Sequence, residues 1–379
     1  MEDVAVIGVG ITPFGRFPKR RPESLAAAAV GEAVADAAIT VGDIDAAFAG
    51  TVELPPGTGQ KVLKDIGFAG IPIVNVENAC ASSTTALRDA IAWIRAGFAD
   101  VCLVIGVESL SRTMTGPVAM DLDDPVGGEG MVWPAVYAMK ARAYMHQNGA
   151  TPEDFAKVAV KNRRHAAANP NAQFQKLITV EEVLASRQVC DPLTLLQCCP
   201  TSDGAAALVV ASAAVARRSE RRPVWVVGQA MASGRLNDRI EVTLDVSSRM
   251  ASAAYEQAGI GPADIQVAEV HDAFTPAEIL HYEALGFAAE GEGYRYVDKA
   301  ALGGGGTVVS ASGGLLSRGH PLGATGAAQI VELTRQLRGE AGTGQVEDAR
   351  FGVAHVMGGT IYDLESNACV VTVLRGDRL

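Results

Sequence analysis

The chain has 379 residues, 48% of them hydrophobic and 20% charged, with 41 glycines and only 5% aromatics. That profile excludes a disordered or fibrous chain and a small disulfide scaffold, and the length suits two domains or one large α/β unit with an insertion. With 32 basic against 43 acidic side chains the net charge is −11, which argues against nucleic acid or an anionic membrane as the main partner and leaves any phosphate to be held by local groups.

In chain order, short β-branched runs alternate with Ala-rich helical runs: VAVIGVG, SLAAAAVGEAVADAAITVG, IPIVNVEN, TTALRDAIAWIRAG and VCLVIGVES. This alternation predicts βαβ units around a mostly parallel sheet. From Thr115 to about Gln197 the pattern breaks into an acidic Gly-rich stretch, a helical run (WPAVYAMKARAYMHQNG) and a mixed-charge stretch ending in NRRHAAANPNAQF, which reads as an inserted excursion of the kind that covers a ligand site. Regularity resumes with SDGAAALVVAS, expected to be a strand returning to the first sheet. The second half then repeats the first. PVWVVGQA at 223–230 mirrors VAVIGVG, the turn at 261–265 mirrors that at 42–45, and ATGAAQIVELTRQLRG at 324–339 mirrors STTALRDAIAWIRAG at 83–97.

Six cysteines without paired CxxC spacing read as thiols of a reducing compartment, expected to be the cytoplasm, and not as a disulfide or zinc framework. The adjacent Cys198 and Cys199 read as buried thiols, and no metal site is expected. The start MEDVAVIGVG carries no basic leader, and the longest apolar stretch, 205–216, is too short to span a bilayer, so neither a signal peptide nor a membrane partner is expected.

Four polar residues sit where strands end or helices begin. Cys80 lies between a strand and the helix starting near Ser83, where the positive end of the dipole favours a thiolate; it is either a nucleophile or an inert buried thiol. His320, in GGLLSRGHPLGATG before the second-half helix, falls beside the position of Cys80 in the repeat, so two helix starts related by a pseudo-twofold would present a thiol and a base to one cavity. His271 and His355 follow on strands at their C-terminal ends, where ligands gather in α/β sheets, although either alone suits a structural histidine. No GxGxxG, GxSxG, Walker loop or HExxH is present.

These segments resemble the thiolase superfamily, and within it the sterol-carrier-protein-type and archaeal acetoacetyl-CoA thiolases: ENACASS around Cys80, SDGAAA at 202–207, HDAF at 271–274, SRGHPLGATG at 317–326 and AHVMGG at 354–359. The resemblance covers essentially the whole chain. It implies an α/β thiolase fold, two pseudo-symmetric βαβαβαββ halves forming a five-layered αβαβα core, with an inserted loop domain. The expected division is residues 1–116 plus 198–220 for the N-terminal half, 117–197 for the insertion over substrate and CoA, and 221–379 for the C-terminal half.

By the same resemblance Cys80 takes the acyl group, and His320 activates it and, together with His271, forms the oxyanion hole for the thioester oxygen. His355 is expected where ordinary thiolases have the Cys of Cys-x-Gly, the second acid/base, because position 273 is Ala where many sterol-carrier-type members have Cys. Ser312, Gly313, Arg163 and Arg164 are the expected CoA contacts. The implied activity is an acyltransferase of lipid metabolism, a degradative β-oxidation-type thiolase cleaving a 3-oxoacyl-CoA with CoA as co-substrate, on a bulky or aromatic acyl chain, with no permanently bound cofactor and as a homodimer. Two alternatives share these residues: a thiolase-like retro-aldolase acting on a branched 3-hydroxyacyl-CoA with a small zinc-ribbon/OB-fold partner, and a decarboxylating ketosynthase-like condensing enzyme.

Overall fold

The computed structural model describes residues 3–114, 116, 118, 120, 125–235, 245–359 and 366–377. Ten strands form one large sheet. The first half gives β1 (Val4–Ile11), β2 (Ala46–Gly50), β3 (Ile73–Val76), β4 (Val101–Ser109) and β5 (Asp203–Ser212); the second gives β6 (Val224–Ala232), β7 (Val267–Glu269), β8 (Val308–Val309), β9 (Phe351–Gly358) and β10 (Ala368–Gly376). Their order, β8-β7-β9-β10-β6-β1-β5-β4-β2-β3, is a palindrome about the β1–β6 joint. That joint is short and antiparallel, with Ala5 opposite Trp225 and Val6 opposite Val224.

The sheet is mixed where the alternation of elements predicts mostly parallel pairing. Only the outer strands run parallel (β2 with β3 and β4, β7 with β8 and β9), while β5 is antiparallel to β1 and β4, and β10 to β6 and β9. The reason lies in the connections. A crossover helix enforces a parallel return, but β4 reaches β5 through the insertion, and among the described residues no helix stands between β9 and β10.

Side-chain chemistry sets the layers. β1 and β5 are buried along nearly their whole length, as expected of strands covered on both faces. Helices α1 (Pro22–Asp36) and α5 (Asp245–Ala258) cover the outer face of each half, while α2 (Ser82–Arg95) and α6 (Thr325–Arg338) lie between the halves, burying Ala86, Leu87, Ala90, Ile91 and Ile94 against Ala327, Ile330, Val331 and Leu333. Glycine makes the outer packing possible at equivalent places. A Cβ on Gly8 would lie 2.3 Å from Ala33 O and one on Gly228 2.2 Å from Ala254 O, so only glycine lets each helix rest on its strand.

The insertion supplies α3 (Trp133–Asn148), α4 (Pro152–Ala166) and a two-stranded ribbon, Gln188–Cys190 with Leu193–Thr194. Among the described residues no helix is long and apolar enough to cross a membrane.

Candidate active site

Cys80 stands in a tight turn between β3 and α2. Ala79 before it takes φ +46°, a left-handed conformation that costs a non-glycine residue energy and must be held from outside. The hold is local: the Ala79 N–H donates to Glu77 Oε1 at 2.8 Å, and Ser82 Oγ accepts the Asn78 N–H at 2.9 Å while donating to Ala79 O at 2.6 Å. The partly exposed Cys80 side chain packs beside Val356, Ala368, Val370 and Met231 of the other half. The backbone N–H groups of Gly359 and of Cys80 itself lie near enough to the sulfur to favour its charged form.

The thiol does not gain the acidity expected of a helix start. Burial pushes it up to about 12, and the nearby Glu108 carboxylate adds to this, outweighing the two N–H groups. Glu108 is itself raised by burial to about 7, although it accepts N–H groups from Gly323, Val52 and Glu53. Cys80 is therefore a protonated thiol at neutral pH, and a nucleophilic role needs a base within reach.

That base is beside it. The Cys80 sulfur and a ring nitrogen each of His271 and His320 lie within 4.8 Å of one another, with the two imidazoles edge to face at 5.2 Å between centroids. His320 is held in one tautomer. Its Nδ1 lies 2.7 Å from Thr325 Oγ1, whose single proton is donated to Pro321 O at 3.0 Å, so Thr325 accepts from Nδ1–H and leaves Nε2 as the bare acceptor. Burial, then His271 and Arg318, hold the His320 ring well below the ordinary histidine range, and burial lowers His271 to about 4. Both rings are neutral in the free protein. His271 Nδ1 is buried without a hydrogen-bond partner among the described residues, a polar atom of the kind that calls for an explanation in a folded protein. Cys, His and His are also donors that a zinc ion accepts, with a coordination position left open.

A buried polar network that motif reading missed fixes these groups. Asp272, next to His271, accepts the Leu315 N–H at 2.7 Å, tying the HDAF turn to the loop that leads to His320. Asn162 on α4 bridges Asp272 (2.7 Å) and Glu278 (2.6 Å), and Lys161 pairs with Glu278 at 2.7 Å. Burial, with Glu278 beside it, pushes the Asp272 carboxyl upward. Arg318 and Glu269 make a second buried pair at 3.3 Å, joined by Ser312.

Three of the four expected CoA contacts are buried instead. Arg163 does not wait for phosphate: it is buried, its Nε donates to Ser317 Oγ at 3.2 Å, and its guanidinium lies over Phe174. Ser312 is likewise committed inward, its hydroxyl donating to Glu269 Oε2 at 2.6 Å. Gly313, at φ +99°, backs onto Ala166 of α4, where a Cβ would meet the Ala166 Cβ at 2.5 Å. Of the four expected CoA contacts, only Arg164 has an exposed side chain.

His355 is also displaced from its expected place. Strand alternation turns Val356 toward Cys80 and His355 to the opposite face, where its Nε2 lies 2.9 Å from Ser247 Oγ and its ring 4.2 Å from that of His281. Fully buried there and lowered to about 3, chiefly by burial, it is a neutral core group outside the Cys80 cluster. From the insertion, by contrast, Tyr137 of α3 stacks on Phe274 at 4.6 Å with its hydroxyl in electrostatic reach of Cys80. Nothing local in its helix marks it out.

The chain is similar to known proteins over most of its length. Residues 4–214 match the family model "Thiolase, N-terminal domain" and residues 228–371 the model "Thiolase C-terminal domain-like". The chain is 41% identical over 370 residues to "Benzoylsuccinyl-CoA thiolase subunit BbsB" of Thauera aromatica, covering 94% of each. It is 41% identical over 372 residues to "Acetyl-CoA acetyltransferase" of Methanothermobacter thermautotrophicus, covering 95% of this chain and 97% of that one. It is 40% identical to "Sterol carrier protein 2" of Homo sapiens, covering 94% and 70%. Among solved structures it is similar to "Ltp2-ChsH2(DUF35) aldolase", with TM-score 0.85 and 29% identity over 100% of this chain and 99% of that one. Human mitochondrial 3-ketoacyl-CoA thiolase shares the fold at TM-score 0.74 and 16% identity, covering 100% and 99%.

Proposed function

We propose, for a chain that belongs to the thiolase family and is thereby an acyltransferase, that it cleaves a 3-oxoacyl-CoA with CoA through an acyl group carried on Cys80. The observation that supports this most is the meeting of the Cys80 sulfur with two neutral imidazoles within 4.8 Å. His320 Nε2, bare because Thr325 holds the other nitrogen, takes the Cys80 proton. The thiolate attacks C3 of the substrate, the C2–C3 bond breaks, and the electron pair moves onto the thioester as an enolate. His271 and the His320 imidazolium face the oxygens on which negative charge develops. Removing one such donor typically costs about 2.7–4 kcal/mol of transition-state stabilisation. A second CoA then takes the acyl group from Cys80, and the N–H groups of Cys80 and Gly359, which favour negative charge at that sulfur, are the candidate donors to the oxyanion of that step.

A bulky or aromatic acyl group is the favoured substrate. Tyr137, Phe274 and Trp133 cluster where α3 covers the site, and one relative is named for benzoylsuccinyl-CoA. Arg164 is the candidate for a CoA phosphate, and a homodimer is the expected assembly. Incubation with a panel of 3-oxoacyl-CoA esters, followed by peptide mass spectrometry, tests the reading: an acyl adduct on Cys80, absent in Cys80→Ser, supports it, whereas turnover without any adduct refutes it.

The likeness to an aldolase structure at 29% identity supports a second reading, cleavage of a branched 3-hydroxyacyl-CoA together with a small zinc-ribbon/OB-fold partner. CoA-independent cleavage of a 3-hydroxyacyl-CoA that survives Cys80→Ser establishes it instead.

A further inference from the structure

The thiolase reading, on which this inference rests, leaves one proton without a donor. The enolate released from C2 must be protonated, yet position 273 is Ala, and on β9 the residue facing Cys80 is Val356. We propose that Cys199 is the acid that protonates C2 and the base that later activates CoA.

The backbone places it there. Cys198 bridges Phe274 in antiparallel fashion, so the next residue, Cys199, stands opposite Ala273, and its N–H donates to Ala273 O at 2.9 Å. Opposed residues of an antiparallel pair project to the same side, with Cβ atoms about 4.5–5.5 Å apart. The Cys199 thiol thus occupies the space beside the Ala273 methyl, next to where a cysteine at 273 would put its sulfur. Two residues on, Thr201 bridges His320, and Ser202 Oγ accepts the His320 N–H at 3.0 Å. Segment 198–202 is strung between the turns that carry His271 and His320. The Cys199 side chain is partly exposed and has Cys80, Tyr137 and Asp272 as electrostatic neighbours. Burial first, then Cys198, Cys80 and Asp272, keep the thiol protonated at neutral pH, as a proton donor must be.

The step balances. The Cys199 S–H proton goes to C2 of the enolate, giving acetyl-CoA and a Cys199 thiolate. That thiolate takes the proton of the incoming CoA thiol, the CoA sulfur attacks the acyl carbonyl to form the shortened acyl-CoA, and the Cys80 sulfur leaves and recovers its proton from the His320 imidazolium.

Three measurements on Cys199→Ala, Cys199→Ser and Tyr137→Phe test this: thiolysis of a 3-oxoacyl-CoA, enzyme-catalysed exchange of deuterium from D2O into C2 of acetyl-CoA, and acylation of Cys80 by direct transfer from an acyl-CoA. The last involves no carbon–carbon chemistry and reports that the fold and Cys80 are intact. Cys199→Ala is expected to lose thiolysis and deuterium exchange by about 10²–10⁴-fold while Cys80 is still acylated, with Cys199→Ser between it and wild type. Thiolysis and exchange close to wild type in Cys199→Ala, or their loss in Tyr137→Phe alone, overturns the role of Cys199. Failure of wild type to acylate Cys80 is a separate result that removes the thiolase reading itself.

Discussion

Replacing Lys161 by Met is expected to damage both stability and the site. The Lys161 ammonium is 4% exposed and Glu278 fully buried, their charges 2.7 Å apart, with Lys161 also donating to Val309 O at 2.6 Å. Methionine fills nearly the same volume but leaves Glu278 facing Asp272 without a cation, and removing one partner of such a pair costs about 3–5 kcal/mol. At roughly 2.1 cal/mol/K of unfolding entropy per residue, a chain of this length melting as one unit loses about 4–6 °C. Thermal unfolding followed by circular dichroism measures the shift. The double variant Lys161→Met/Glu278→Gln, which removes the stranded charge while keeping an acceptor for Asn162, is expected to regain more than half of it. Because Asp272 holds the Leu315 N–H, the single variant is also expected to lower kcat. A melting point within about a degree of wild type, or a double variant no better than the single, refutes the account of this network.

Other outcomes follow from the same geometry. A Cβ on Gly358 would lie 2.4 Å from Asn78 O, so Gly358→Ala must push back the strained turn that carries Cys80; an overpacking cost of about 1–3 kcal/mol and a fall in kcat are expected from urea unfolding and steady-state assay. His355→Asn should leave the pH profile and kcat near wild type, since the ring faces Ser247 and not Cys80; a hundredfold fall would return His355 to the chemistry. His165, held neutral near 3 by burial against about 6.5 in the unfolded chain, contributes stability above pH 6.5 that is lost as pH falls toward 3, because the unfolded state takes up the proton first. Between pH 7.5 and 5 that is about 2 kcal/mol, so urea midpoints of His165→Gln should fall less over this interval than those of wild type.

The fold was legible in the sequence because each half carries its own strand and helix periodicity, and the repeat from VAVIGVG to PVWVVGQA survives as the β1–β6 centre of the palindrome. The antiparallel strands were not, since nothing in SDGAAALVVAS says from which direction the chain returns. Cys80, His271 and His320 were legible because their motifs are local, and the structure brings all three together. His355 was misplaced by one strand position: a motif fixes an approximate register, but period-two alternation turns a one-residue shift into a change of face. Arg163 misled because helix composition does not tell a solvated cation from one buried against Phe174. Cys199 escaped because its meaning depends on the strand across from it.

The contact between α2 and α6 sets a limit of its own. Ser83 Oγ accepts the Ala327 N–H at 2.9 Å, a Cβ on Gly326 would meet Thr84 Cγ2 at 2.6 Å, and one on Gly106 would meet Gly323 O at 2.4 Å. Thiol and imidazole approach from opposite halves at the heads of these two helices, so the spacing between reactive atoms equals the clearance of a glycine-lined joint. A methyl group added there acts as a shim, separating nucleophile from base without touching either. Enzymes of this build should therefore tolerate change on their outer faces far better than along this seam.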